Sequence, residues 1–278
     1  FLERLGLCES IGVTPSEFLD FLVDVDHGYL PNAYHSFYHA VDVAVVLYHM
    51  VCQYDVASYI SRIDIAALMI AGLCHDIGHP GKNNNFQVNL KTDLAIRYSN
   101  KSVLESYSCT ITMDLLTKHK LLRRLEKASG SLGLPTSESE MRTGIIKMIL
   151  ATDMIFHYEL QENLANLLEI ITDENPQQRL ILCQIILHAA DISNALRPWP
   201  ICLSWSNLVC EEFFLQGDAE QEHGLKVSPN MDRNQVSQTT IGLQFGDFVV
   251  SPYFEIFAAL FPKADELLKE LAANRVQW

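Results

Sequence analysis

The chain predicts an all-α fold in one compact multi-helix domain over residues 1–278, and three observations predict it. Apolar residues recur at helical spacing along most of the 278 residues, alternating strand-type runs are almost absent, and turn-forming residues collect in a few short stretches. Thr14-Pro15-Ser16-Glu17 opens the first clear helix: Thr14 can cap it and Pro15 takes the first helical position, ahead of Phe18, Leu19, Phe21, Leu22 and Val25. His39 starts a strongly helical run through Tyr54. Residues 63–74 form the longest apolar run; it contains Asp64 and stops at His75-Asp76, so it is too short to span a membrane. Residues 103–122, 141–150, 178–190, 205–215 and 252–271 repeat the helical pattern. Between them, 129–140 reads as a surface loop, and Pro31-Asn32, Pro80-Gly81 and Pro198-Trp199-Pro200 read as turns.

Composition narrows the function classes. With 49% apolar residues the chain can build one large core. A net charge of −14 without an extended basic run argues against a nucleic-acid polymer as partner. An anionic small substrate would instead have to be met by bound cations. The seven cysteines show no C-x-x-C pairing and lie mostly in apolar helical runs, so they read as buried free thiols of a cytoplasmic, reducing compartment. No signal peptide is visible and the chain starts at Phe1, so it is expected to be a fragment of a longer protein with regulatory segments outside it.

Four short segments bear the chemistry. Residues 73–84 read L-C-H-D-I-G-H-P-G-K-N-N, where His75 and Asp76 stand side by side and His79 follows. Imidazole and carboxylate together suit a borderline metal such as Zn²⁺, and a second carboxylate oxygen can bridge to a harder cation. His35 and His39, four apart in Tyr34-His35-Ser36-Phe37-Tyr38-His39, would share a helical face if helix has begun by His35. Asp191 ends an apolar helix, where burying a carboxylate costs several kcal/mol unless it is paired or metal-bound. Glu105, in Ser102-Val103-Leu104-Glu105, says little alone. Any one of these residues could be an ordinary buried polar group. Jointly, His39, His75, Asp76 and Asp191 make a mixed imidazole and carboxylate metal site, with His35, His79 and Glu105 available for proton transfer and support.

The same segments resemble the class I cyclic nucleotide phosphodiesterases. The family's Y-H-x-x-x-H-A-x-D-V matches residues 34–43, H-D-x-x-H-P-G-x-x-N matches 75–84, S-V-L-E matches 102–105 and A-D-I-S-N matches 190–194. Residues 151–154, 211–218 and 227–229 are similar too, so the likeness runs from about Ser16 to about Leu268. It implies a helical His-Asp metal-dependent phosphohydrolase domain with its metals at the bottom of a deep pocket, the family's earliest helices lying outside this chain. It also implies hydrolysis of the 3′ phosphoester of a cyclic nucleotide by a hydroxide bridging two divalent ions, Zn²⁺ with Mg²⁺ or Mn²⁺. His39, His75, Asp76 and Asp191 would bind the first ion, and Asp76 would also touch the second. His35 would be the general acid, Glu105 would hold its imidazolium and a metal-bound water, His79 would hold bound water or Thr152, and Asp153 would support the water on the second ion.

For the base, the resemblance places Phe245 as an aromatic clamp with Val209 opposite, and Tyr34, Met154, Asn194, Trp205 and Phe213 around it. The family's purine-reading glutamine falls on Gly242, a departure. Gln238, one helical turn earlier, would share that face, whereas Gln244 would point elsewhere unless the backbone bulges. Losing a fixed amide removes the usual basis for separating adenine from guanine, and cAMP is favoured over cGMP as the small-molecule partner. A second departure is Glu105-Ser106-Tyr107-Ser108 where the family has E-N-H-H, so Tyr107 or water would have to replace two imidazoles. The alternatives are another His-Asp phosphohydrolase acting on non-cyclic nucleotides, and a non-catalytic cyclic-nucleotide binding domain.

Overall fold

The computed structural model describes residues 3–170 and 175–278, and among them every regular element is helical. A short α1 (Leu7–Ile11) precedes α2 (Pro15–Gly28). The Thr14 hydroxyl accepts from Glu17 N while the Glu17 carboxylate accepts from Thr14 N at 2.8 Å, a reciprocal cap that starts α2 where expected. Phe18, Phe21 and Val25 bury its inner face. α3 (Phe37–Gln53) and α4 (Arg62–Cys74) follow. In α4 every residue from Ile63 to Cys74 except Asp64 is buried, and the helix packs against α1, α3, α9 (Glu138–Leu150) and α11 (Pro176–Asp191). An all-round apolar helix belongs at the centre of a core, and the same burial excludes water from the residues that follow it.

The remaining helices are α5 (Asn84–Asn89), α6 (Asp93–Arg97), α7 (Val103–Lys118), α8 (Leu125–Ser131), α10 (His157–Ile170), α12 (Trp199–Glu222), α13 (Gln238–Phe245), α14 (Ser251–Leu260) and α15 (Asp265–Gln277). Several boundaries differ from the sequence expectation. The stretch 129–140 is not all loop: α8 extends through Ser131, Ser129 is buried, and its hydroxyl accepts from Thr136 N at 3.1 Å. Pro198-Trp199-Pro200 opens α12 rather than marking a separate turn, because proline lacks only an N–H that the first helical turn leaves unused. The run 252–271 is two helices, split by a 3₁₀ turn at Pro262–Ala264 where proline cannot continue the ladder. The run 103–122 stops at Lys118, and Lys120 turns the chain with φ of 48°.

Two resembling stretches turn out to be structural ties. Arg197 Nη1 donates to Asp42 Oδ1 at 2.7 Å and fastens α3 to the segment after α11. Glu220 on α12 accepts from Ser228 N and Oγ at 2.7 and 2.6 Å, and a Cβ on Gly217 would lie 1.9 Å from the Met231 carbonyl oxygen. Glycine there lets the 228–231 backbone lie directly on α12. All seven cysteines are free, five of them buried, and among the described residues no helix is long and apolar enough to cross a membrane.

Candidate active site

Three helix ends meet at one point. His75 caps the C-terminus of α4 and is fully buried; its Nδ1–H donates to the Gly72 carbonyl at 2.8 Å, which leaves Nε2 with its lone pair outward. That Nε2 lies 3.0 Å from Asp76 Oδ2 and 3.2 Å from Asp191 Oδ1, the last residue of α11. His39, in the first turn of α3, brings Nε2 to 2.9 Å from Asp191 Oδ1 and 3.6 Å from Asp76 Oδ2. These four ligand atoms lie within 4.8 Å of one another. Burial works against the charge on Asp76 and Asp191, yet the His75 imidazole and its neighbours hold both carboxyls well below the usual carboxylate range. Two nitrogen and two oxygen donors converging on one buried spot fit a divalent cation of the zinc type. Tyr29 steadies the 75–76 turn, its O–H donating to the Leu73 carbonyl at 2.9 Å and its oxygen accepting from Asp76 N at 3.4 Å.

His35 does not share a helical face with His39. Ser36, the residue before α3, is extended with φ of −126°, so His35 sits on the entering strand of coil. Its ring stacks on His79 with centroids 3.8 Å apart and planes 15° off parallel. Its Nδ1 pairs with the Glu212 carboxylate, whose other oxygen accepts from Tyr34 N at 2.9 Å and His35 N at 3.0 Å. Burial pushes the His35 imidazole down, but the Asp76 and Glu212 carboxylates more than offset it, so the net shift is upward. Burial raises Glu212, while its bond to His35 draws it down to about 2.

The holder of His35 is therefore Glu212 and not Glu105. Glu105 Oε2 accepts from Asn84 Nδ2 at 2.9 Å, and the same amide approaches Asp153 Oδ2 at 3.5 Å. Burial and the nearby Asp153 carboxylate push Glu105 up to about 7. Glu105 and Asp153 thus form a second acidic wall of the cavity, with Asp153 also accepting from Ile155 N at 3.1 Å. His79 lies beyond the end of α4, not one helical turn along it; its Nδ1 accepts from Gly81 N at 3.0 Å, and burial beside His35 lowers it to about 3, keeping it neutral. Thr152 gives its hydroxyl to the Ile149 carbonyl at 2.7 Å, which leaves its oxygen only as an acceptor. Glu212 does carry a sequence signal: with Trp205, Val209 and Gln216 it recurs at helical spacing, a carboxylate on a stripe that is partly to fully buried.

Above this floor opens a cavity of about 860 Å³. Tyr34, Met154, Asn194, Trp205, Val209, Phe213 and Phe245 all line it, as expected, and Asn194 donates to the Tyr34 hydroxyl. Gln238 does not: its amide donates to Ser206 Oγ at 3.1 Å and Asn207 Oδ1 at 2.7 Å. Gln244 does line the cavity and accepts from Asn230 Nδ2 at 3.4 Å; α13 runs straight into a wider π-type turn, Gly246–Val250. Tyr107 is no stand-in for the missing imidazoles, because its ring packs against Gly78 and does not reach the cavity.

Helices alone, with paired imidazoles and carboxylates beneath an apolar cavity, place the chain among the helical metal-dependent phosphohydrolases. A family model described as 3′5′-cyclic nucleotide phosphodiesterase matches residues 34–271, and the chain belongs to that family. It is 35% identical over 264 residues to the high affinity cGMP-specific 3′,5′-cyclic phosphodiesterase 9A of Pan troglodytes, covering 95% of this chain and 44% of that one. It is 30% identical over 300 residues to the 3′,5′-cyclic-AMP phosphodiesterase 4C of Rattus norvegicus, covering 100% of this chain and 52% of the relative. The phosphodiesterase domain of the RhoPDE fusion protein from the choanoflagellate Salpingoeca rosetta superposes with a TM-score of 0.88 at 28% identity, over 100% of this chain and 87% of that structure. The chain thus spans about half the length of the curated relatives it matches.

Proposed function

We propose that this chain hydrolyses 3′,5′-cyclic nucleotides to 5′-monophosphates, with His35 as the general acid. The reading rests on His35 being held by Glu212 beside a four-ligand floor at the base of the cavity. In the reaction a water oxygen bonds to phosphorus, the bond from phosphorus to the 3′ oxygen breaks, and that oxygen takes up a proton. His39, His75, Asp76 and Asp191 would hold a divalent cation of the zinc type, which together with a harder cation such as magnesium or manganese would supply an activated water and neutralise phosphoryl charge.

The chain's own groups do the rest. Glu212 occupies His35 Nδ1, so the Nε2–H is the proton available to the departing oxygen. The carboxylates of Asp76 and Glu212 shift His35 upward and so favour its keeping that proton. Trp205, Val209, Phe213 and Phe245 exclude water from the base, and the face of Phe245 offers it a stacking surface. No side chain at 242 fixes one donor and acceptor pattern, and the amides of Gln244 and Asn230 can turn over together, so both purines are taken as substrates. The preference for cAMP finds no support in this lining. A kcat/KM comparison of cAMP and cGMP measures it, and a ratio beyond about tenfold either way refutes the shared-substrate reading.

His35→Ala tests the mechanism. It lowers kcat by about 10² to 10⁴ while bound zinc stays at the wild-type level. Loss of zinc with unchanged turnover per bound metal would make His35 a ligand instead.

A further inference from the structure

Gly242 lies in the middle of α13 in ordinary helical conformation, so nothing in its backbone calls for glycine. A helix-interior glycine costs roughly 0.5–1 kcal/mol relative to alanine. What excludes a side chain is one residue: a Cβ at 242 would lie 2.6 Å from Cε2 and 2.7 Å from Cζ2 of the Trp278 indole. Both residues line the cavity.

The indole is placed by the fold on its other sides. The Trp199 ring meets it edge-on, with centroids 4.9 Å apart and planes at 82°. The helix that carries it, α15, is tied down by Asn274, whose amide donates to the Ala195 and Arg197 carbonyls at 3.0 and 2.7 Å. Those two carbonyls lie just past Asn194, itself a cavity residue, so the tryptophan is referenced to the same stretch of backbone that shapes the pocket.

We propose that Gly242 and Trp278 act as one unit, an aromatic wall of the base pocket in which the missing side chain makes room for the indole. This deepens the proposed function and rests on it. The wall supplies contact area to a planar base without a hydrogen-bond pattern of its own at 242. It therefore sets how tightly a cyclic nucleotide is held and not how fast its phosphoester is broken.

The test is a double-mutant cycle with Gly242→Ala, Trp278→Ala and the pair, plus Trp278→Phe, assayed on cAMP and cGMP with thermal denaturation as the folding check. Gly242→Ala drives the indole out and raises KM about tenfold with kcat within about threefold; Trp278→Ala does the same, and Trp278→Phe restores most of the binding. The pair is no worse than Trp278→Ala alone, because the collision has gone with the ring. Unchanged KM in Gly242→Ala, or effects that multiply in the pair, overturn the proposal, and Gly242→Ala decides it by itself if Trp278→Ala does not fold. If the wild type forms no 5′-monophosphate from either nucleotide, the proposed function falls and this wall with it. If it does and the variants bind as the wild type, only the wall falls.

Discussion

Replacing Glu212 by glutamine removes one negative charge from the His35 pair while keeping the size of the side chain. Glu212 accepts from three donors, the His35 ring and the backbone N–H groups of Tyr34 and His35. A hydrogen bond to a charged group contributes about 1.5–3 kcal/mol. Its loss removes that much stabilisation from the charged imidazole and lowers its proton affinity relative to wild type. The sign follows from the direction of the wild-type shift. His35 is held above its ordinary value, so it keeps its proton as pH rises, and without Glu212 it gives that proton up at lower pH. Any cation on the floor is common to both proteins and cancels in the comparison. The alkaline limb of kcat/KM against pH, followed from about pH 6 to 10, therefore moves to lower pH, and activity on that limb falls relative to wild type. An alkaline limb that stays where it is, even with lower activity throughout, would refute the claim that Glu212 sets the acid's proton affinity.

Two further expectations concern stability. His188 is buried against His157, their ring nitrogens 2.9 Å apart, and burial lowers it from 6.5 to about 4, so it stays neutral in the fold. The unfolded chain protonates first, so stability present above about pH 6.5 is lost as pH falls toward 4, by at most about 3 kcal/mol from this group; His188→Gln should flatten that slope in urea midpoints, and an unchanged slope would deny it. Among glycines, Gly217→Ala should cost about 1–3 kcal/mol or more because its Cβ meets Met231 backbone, whereas Gly144→Ala, with Leu180 no nearer than 4.0 Å, should stabilise α9 by about 0.5–1 kcal/mol. Calorimetric Tm values that move the same way for both would contradict the packing described.

The metal floor was legible because its signals are local. His75-Asp76 interrupt the most apolar run in the chain, and Asp191 ends another, so each carboxylate stands where burial demands a partner. The partner of His35 was not legible in the same way, because Glu212 is 177 residues distant and only the fold decides which carboxylate reaches the imidazole. Gln238 failed for a related reason. Helical spacing placed it one turn from Gly242, but the cavity side of that turn is taken by Trp278, and Gln238 spends its amide on α12. Short helices such as α5 and α6 were missed because five or six residues hold too few turns for periodicity to show. α10 was missed because Leu160, Leu164 and Leu167, which mark its buried side among the described residues, stand amid polar neighbours.

All four floor ligands precede Trp199, whereas Trp205, Val209, Phe213, Phe245 and Trp278 all follow it. The four ligands and most of the aromatic lining thus come from separate stretches of the polypeptide, although Glu212, which pairs with His35, lies in the later one. Under the proposed function, substitutions among the lining residues after Trp199 that leave Glu212 in place should change how the base is held while leaving the ion cradle intact.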